Sequence, residues 1–173
     1  MGKEKKLVIG VLGPTVLKKH GIVDFNGLIS AIPSWLRSQG YDCIEKGRSE
    51  KSTSTGKYIE SNWIAVKEVT GYVKYIVKIN IFVRDLTDVA VEKKGKTVKL
   101  QRGRVELDFK SEFEKNYARD GRRWFNTEKR FQELLRIFYE RYAVKQQIKT
   151  LDDKLLFESN DFIKYVQQFL FPN

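Results

Sequence analysis

One cysteine, one histidine and one methionine occur in 173 residues, and prolines number three. A lone Cys43 excludes an intramolecular disulfide and fits a reducing, cytoplasmic setting. A lone His20 excludes a metal site built from several histidines. No run of about 18 uncharged apolar residues is present, which excludes a transmembrane helix. The early run Leu7 to Leu12 is too short for a signal-peptide core, and the basic residues after it supply no small-residue cleavage site. The segment G-V-L-G-P-T, Gly10 to Thr15, lacks the Gly-Lys-Ser/Thr ending of a phosphate loop. No RNP, KH or zinc-finger signature occurs either.

What the chain does have is positive charge. Thirty-three Lys and Arg stand against 22 Asp and Glu, a formal +11 with a pI near 9.6. Such a balance favours polyanionic partners: RNA, DNA or an acidic membrane surface. The length suits a single domain over 1–173, long enough to bury roughly 70% of the surface of its unfolded chain.

The organising stretch is Gly71 to Asp85. Val73, Tyr75, Val77, Ile79, Ile81 and Val83 alternate with Lys74, Lys78, Asn80 and Arg84, the period of a strand with one buried face. Tyr72, Ile76 and Phe82 interrupt the polar face, so that face is either partly covered or a binding surface.

Taken in order, Leu7 to Leu12 predicts a first strand closed by a turn at Gly13-Pro14. Asp24 caps a helix to about Gln39, with Gly40 as its stop and Pro33 set to kink or split it. Asp42 to Lys46 reads as a strand, Gly47 to Gly56 as a mobile polar loop, and Lys57 to Val69 as a central strand. A short strand around Val89 and Val91 turns at Lys93 to Lys96 into Val98 and Leu100. A last strand starts near Arg104. Asn126 or Thr127 caps a helix whose Phe131, Leu134, Leu135, Phe138 and Tyr142 form a core-facing stripe. Two further helices start near Thr150 and Ser159. This order predicts an α+β fold: an antiparallel sheet of five or six strands, an N-terminal helix and two or three C-terminal helices, with a helix-grip arrangement as one candidate.

Most of the positive excess lies between Gly71 and Lys149. Lys93, Lys94, Lys96, Lys99, Arg102 and Arg104 form one dense cluster, and Arg119, Arg122 and Arg123 a second. Lysines on a hairpin tip reach phosphates across a groove, and Trp124 or Tyr72 beside arginines is placed to stack on unpaired bases. These residues form the candidate nucleic-acid site, with RNA or the ribosome as the expected partner.

Three other readings compete. Asp88 with Asp108 and Lys110 is similar to the acid, then acid-x-lysine, pattern of restriction-endonuclease-like nucleases, which hold a divalent ion between carboxylates. The hairpin-like neighbours depart from that fold's parallel strands. A helix-grip sheet would leave an apolar ligand cavity lined by Trp63, Phe109 and Phe138. A sheet edge, from the Lys57 to Val69 strand or the strand at Val89, would pair copies in an assembly. His20 and Cys43 have no assignable catalytic partner, so the chain reads as a non-enzymatic binder without cofactor or metal.

The pieces F-N-G-L-I (Phe25 to Ile29), S-W-L-R-S-Q-G-Y (Ser34 to Tyr41), W-I-A-V-K from Trp63, Y-V-K-Y-I-V-K-I, L-T-D-V-A-V-E and G-R-V-E-L together resemble a group of small archaeal proteins without an assigned activity. The resemblance spans most of the chain. It implies an archaeal, cytoplasmic, stand-alone domain and transfers no functional residue.

Overall fold

The computed structural model describes residues 7–93, 96–119, 121–126 and 128–172. The chain runs β1 (Leu7–Val23), α1 (Phe25–Ser38), β2 (Asp42–Thr53), β3 (Gly56–Glu68), β4 (Val73–Lys93), β5 (Lys96–Lys115), α2 (Arg130–Phe138) and α3 (Lys145–Leu170). A π-helical turn, Tyr139–Ala143, joins the last two helices. The fold is α+β, and its first helix follows β1 rather than opening the chain. Neighbouring strands are all antiparallel, in the order β1-β5-β4-β3-β2. β1 and β2 are the edges, so the Lys57 to Val69 strand is interior and offers no edge. No helix among the described residues is long and apolar enough to cross a membrane.

β4 is the centre that its alternation predicts. Val73, Tyr75, Val77, Ile79, Ile81 and Val83 are all buried, against Leu107, Phe109 and Phe113 of β5. The expected short strand at Val89 is not separate. The register shifts between Arg84 and Thr87, with Asp85 at a φ of 55°, and β4 resumes to Lys93. This bulge re-aims the strand without ending it, which is why the sheet has five strands.

β1 also outruns its prediction. Two register shifts, between Gly10 and Leu12 and between Leu12 and Thr15, absorb Gly13-Pro14, and pairing to β5 continues to Val23. Proline is tolerated there because an edge strand has only one neighbour to bond. The polar segment after Gly47 likewise pairs as β2, from Gly47 opposite Asn62 to Thr53 opposite Gly56. Most of its side chains are exposed, so no apolar alternation marks it.

α1 and α3 cover one sheet face. Asp24 Oδ1 accepts from Gly27 N at 2.9 Å, Gly40 at φ 82° ends α1, and Pro33 sits within one continuous helix. Buried Leu28, Ile32 and Leu36 hold that helix to the core despite the hydrogen bond Pro33 cannot make. The two expected final helices are one, α3, seated by Leu155, Phe162, Val166 and Leu170. Phe162 stacks on Phe109 at 5.1 Å and meets Trp35 at 5.2 Å. Tyr75 donates its hydroxyl to the Leu151 carbonyl at 2.7 Å, and Ser159 Oγ meets Ser111 Oγ at 2.9 Å. On the opposite sheet face Lys74, Ile76, Lys78, Asn80, Phe82 and Arg84 are half-buried or exposed.

α2 reverses its expected orientation. Phe131 is 71% exposed, Leu134 and Phe138 64% each, and Tyr142 66%. The other side of the helix faces the protein. Arg136, 8% exposed, donates to Glu140 Oε1 at 2.9 Å. Glu140 also accepts from Tyr72 and Lys115, while Tyr139 packs on Tyr72 and Phe125 at 5.4 and 5.6 Å. An ionic and aromatic anchor on that side decides which face turns inward. Thr127 lies outside the described residues, and Asn126 Oδ1 accepts from Glu128 N, ahead of the helix rather than at its cap.

Candidate nucleic-acid interface

β4 carries the two predicted basic clusters to its opposite ends. Asn116 N donates to the Tyr72 carbonyl at 2.7 Å, which fixes the chain after β5 beside the start of β4. Arg119 to Trp124 follow there, while Lys93 and Lys96 pair at the far end. The hairpin tip lies a contour of roughly 65 Å from the start of β4, and Arg104, opposite Arg84, roughly 36 Å from it, so the clusters are separate surfaces. Lys94 and the side chains of Lys93 and Lys96 lie outside the described residues.

At the Arg119 end the stacking assignment changes. Tyr72 is 4% exposed, with its ring against Trp124, Phe125 and Tyr139. Burial first, then the hydrogen bond to Glu140, pushes its phenol far above the usual value. It is a core residue with no face open to a base. Trp124 is 56% exposed but meets Tyr72 at 5.6 Å and packs over Gly71. Arg119 pairs with Glu68 at 3.6 Å, and the Arg119 and Arg122 backbones bond to each other. Arg122 is exposed and Arg123 half-buried.

The other cluster gains residues that the sequence reading did not assign to it. His20 lies opposite Arg104 across β1 and β5, and Arg84 lies opposite Arg104 across β4 and β5. Directly opposed residues share a sheet face, so three strands set His20, Arg104 and Arg84 in one row. The next row holds Lys18, Glu106 and Phe82. Arg104 pairs with Asp85, whose carboxyl is held below its usual range by hydrogen bonds from Arg104 and Thr55. Lys18 pairs with Glu106 at 3.1 Å. Arg84 makes no ion pair among the described residues.

A cleft of about 550 Å³ opens over these rows, lined by Lys18, Lys19, His20, Phe82, Arg84, Arg104, Val105 and Glu106. Lys19 and His20 also line a second hollow with Arg102, at the β1 edge beside Phe171 and Pro172. Lys99 is exposed on β5. Gly13-Pro14 hid the continuation of β1 to Val23 from sequence reasoning, and with it Lys18, Lys19 and His20. Register was the signal that would have found Arg84, because the even parity of Arg84 and Arg104 in two paired strands sets them on one face.

The competing sites are not assembled. Asp88 lies opposite Gln101 and accepts from its side chain at 3.2 Å, seven residues and roughly 23 Å along β5 from Asp108. Lys110 pairs with Glu112. No group of three or more His, Cys, Asp or Glu placed to hold a metal occurs among the described residues. Between helices and sheet, the hollow beside Phe109 measures about 10 Å³, the space of one water at most. Phe138, expected to line a cavity there, is on the outer face of α2. Cys43 is buried, and its thiol is pushed up by that burial, which opposes nucleophile chemistry.

No protein-family profile matches the chain, and no curated protein is significantly similar to it.

Proposed function

We propose that this protein is a non-enzymatic RNA-binding module, acting on RNA that is free or within a ribosome, through the open sheet face around Arg84 and Arg104. The supporting observation is the three-strand row His20, Arg104 and Arg84, with Asp85 as the one carboxylate among the described residues that pairs into it. Like charges directly opposite one another destabilise a sheet. An anion over the row removes that penalty. Guanidinium forks match phosphate oxygens two at a time, and Phe82, half-buried in the same cleft, offers a ring on which an unpaired base stacks. Lys18, Lys19, Lys99 and Arg102 extend the positive field along β1 and β5. The binding surface lies along these strands, with the Arg119 to Trp124 cluster as a separate and secondary contact.

The test is fluorescence anisotropy with labelled single-stranded and structured RNA, using heparin as competitor, across a salt series. Near physiological salt, about 0.15 M, the wild type should bind RNA in the presence of heparin. Arg84→Glu should weaken it roughly tenfold and flatten the salt slope. Phe82→Ala should weaken single-stranded RNA and leave heparin binding unchanged. Arg122→Glu, at the other end of β4, should change little. Equal binding of RNA and heparin, indifferent to Arg84→Glu, overturns the proposal.

A further inference from the structure

We propose that α2 docks in the surface of an anionic lipid bilayer. Phe131, Leu134, Leu135, Ile137 and Phe138 are all exposed on this nine-residue helix, and exposed Tyr142 follows in the π-helical turn. At 3.6 residues per turn these positions share one arc. Arg136, Tyr139 and Glu140, on the opposite arc, seat the helix on β4 and β5 through Tyr72 and Lys115. The helix thus rests on its polar side and turns its apolar side outward. No described residue covers that arc, and Trp124 stands exposed beside Tyr139 at 6.0 Å.

The occupant follows from the charges at the ends of the arc. Lys129 and Arg130 precede it, Arg141 and Lys145 close it, and all four are exposed. Glu133 in the helix and Glu140 in the turn after it are engaged, since both pair with Arg136. An apolar arc bracketed by cations complements hydrocarbon lying under anionic headgroups. Long basic side chains at its ends reach up to those headgroups while their stems stay with the apolar layer. A second copy fits worse. Two such helices packed antiparallel set Arg130 of one against Arg141 of the other, and each chain carries +11.

The full chain should be tested by co-flotation with vesicles of phosphatidylcholine alone and of phosphatidylcholine mixed with phosphatidylglycerol. The wild type should float with the anionic vesicles and remain behind with the neutral ones. Leu134→Glu with Phe138→Glu should lower the bound fraction about tenfold, with an unchanged melting curve, because both side chains are exposed in the free protein. Arg130→Glu with Arg141→Glu should lower it on anionic vesicles. Arg84→Glu should leave flotation intact, so failure here and failure of the RNA reading are separable. A wild type that does not float overturns the inference. So does flotation that survives Leu134→Glu with Phe138→Glu, or that Arg84→Glu alone abolishes. A dimer in sedimentation velocity that dissolves on Phe138→Glu also overturns it, and assigns the face to a second copy.

Discussion

The Tyr72 hydroxyl donates to Glu140 Oε1 at 2.6 Å, tying the residue just before β4 to the π-helical turn behind α2. The same carboxylate accepts from Lys115 and from Arg136, so a single side chain joins the end of β5, the start of β4 and the inner side of α2. An apolar stripe does not turn inward by itself. It competes with what the opposite face can bind, and here Arg136 and Glu140 find partners that the stripe lacks.

Glu140→Gln should therefore be far more damaging than its position on a partly exposed helix suggests. It leaves the mostly buried Lys115 without its counter-charge and Arg136 with only its longer contact to Glu133 at 3.4 Å, a loss of about 2–4 kcal/mol. Tyr72→Phe keeps the ion pairs and removes one hydrogen bond, about 1 kcal/mol. Urea unfolding of the two variants gives both numbers, and equal losses would contradict this ordering.

Acid should find the same weakness. Burial alone would raise the Glu140 carboxyl, but hydrogen bonds from Lys115, Tyr72 and Arg136 outweigh it and hold the group below its usual range. Glu112 is lowered in the same way, against burial, by Lys110 and Lys78. A depressed folded value means that the stabilisation is present above the unfolded value, about pH 4.3. It is lost as pH falls through the folded values. Melting temperature should drop steeply over that acid window, and Glu140→Gln should flatten the drop.

Phe162 and Phe157 lie on one helix and should respond in opposite fashion. Phe162 is 1% exposed and stacked on Phe109, so Phe162→Ala should destabilise by about 3–5 kcal/mol. Phe157 is exposed, and Phe157→Ala should stay within about 0.5 kcal/mol of the wild type. Chemical denaturation separates them.

Arg84→Glu should raise stability while it lowers RNA affinity. Facing Arg104, a glutamate replaces a like-charge pair with an attractive one, a gain of about 0.2–1 kcal/mol for an exposed cross-strand pair. Thermal melts and anisotropy on the same sample read both effects. A variant that loses stability together with binding would assign Arg84 a purely structural role.

Gly56 marks where the hairpin between β2 and β3 crosses the bulge in β4. It has a φ of 138°, and an added Cβ would sit 2.7 Å from the Asp85 carbonyl carbon. Gly56→Ala should cost about 2–4 kcal/mol, seen as a lower urea midpoint with an unchanged slope.

The elements with one clean period were legible in the sequence. Alternation from Val73 to Val83 gave the buried face of β4, and Asp24 with Gly40 bounded α1 to within a residue. Pairing partners decided the rest, and these a single chain does not display locally. Pro14 breaks a strand only where a neighbour needs its N–H, and it falls in a register shift of β1, which has one neighbour. The polar residues after Gly47 form β2 because β3 offers them a ladder. Phe131 and Phe138 read as core because their period is helical, yet period cannot tell which side meets the protein. Charge density alone made Arg102 and Arg104 candidates. Arg84 and His20 required the register of three strands, and burial removed Tyr72 from the site that its neighbours suggested.

The pairing of β1 with β5 also shapes how the chain must be made. Leu7 meets Lys115, and Val23 meets Gln101, so β1, made ahead of the other four strands, waits for β5. Until then its apolar residues have no ladder, and β2 to β5 can already join as a meander of neighbours in sequence. Long-range closure of this kind slows folding and exposes an unpaired edge while synthesis proceeds. Basic residues such as Lys18 and Lys19 stand on that waiting strand, where charge discourages edge-to-edge association.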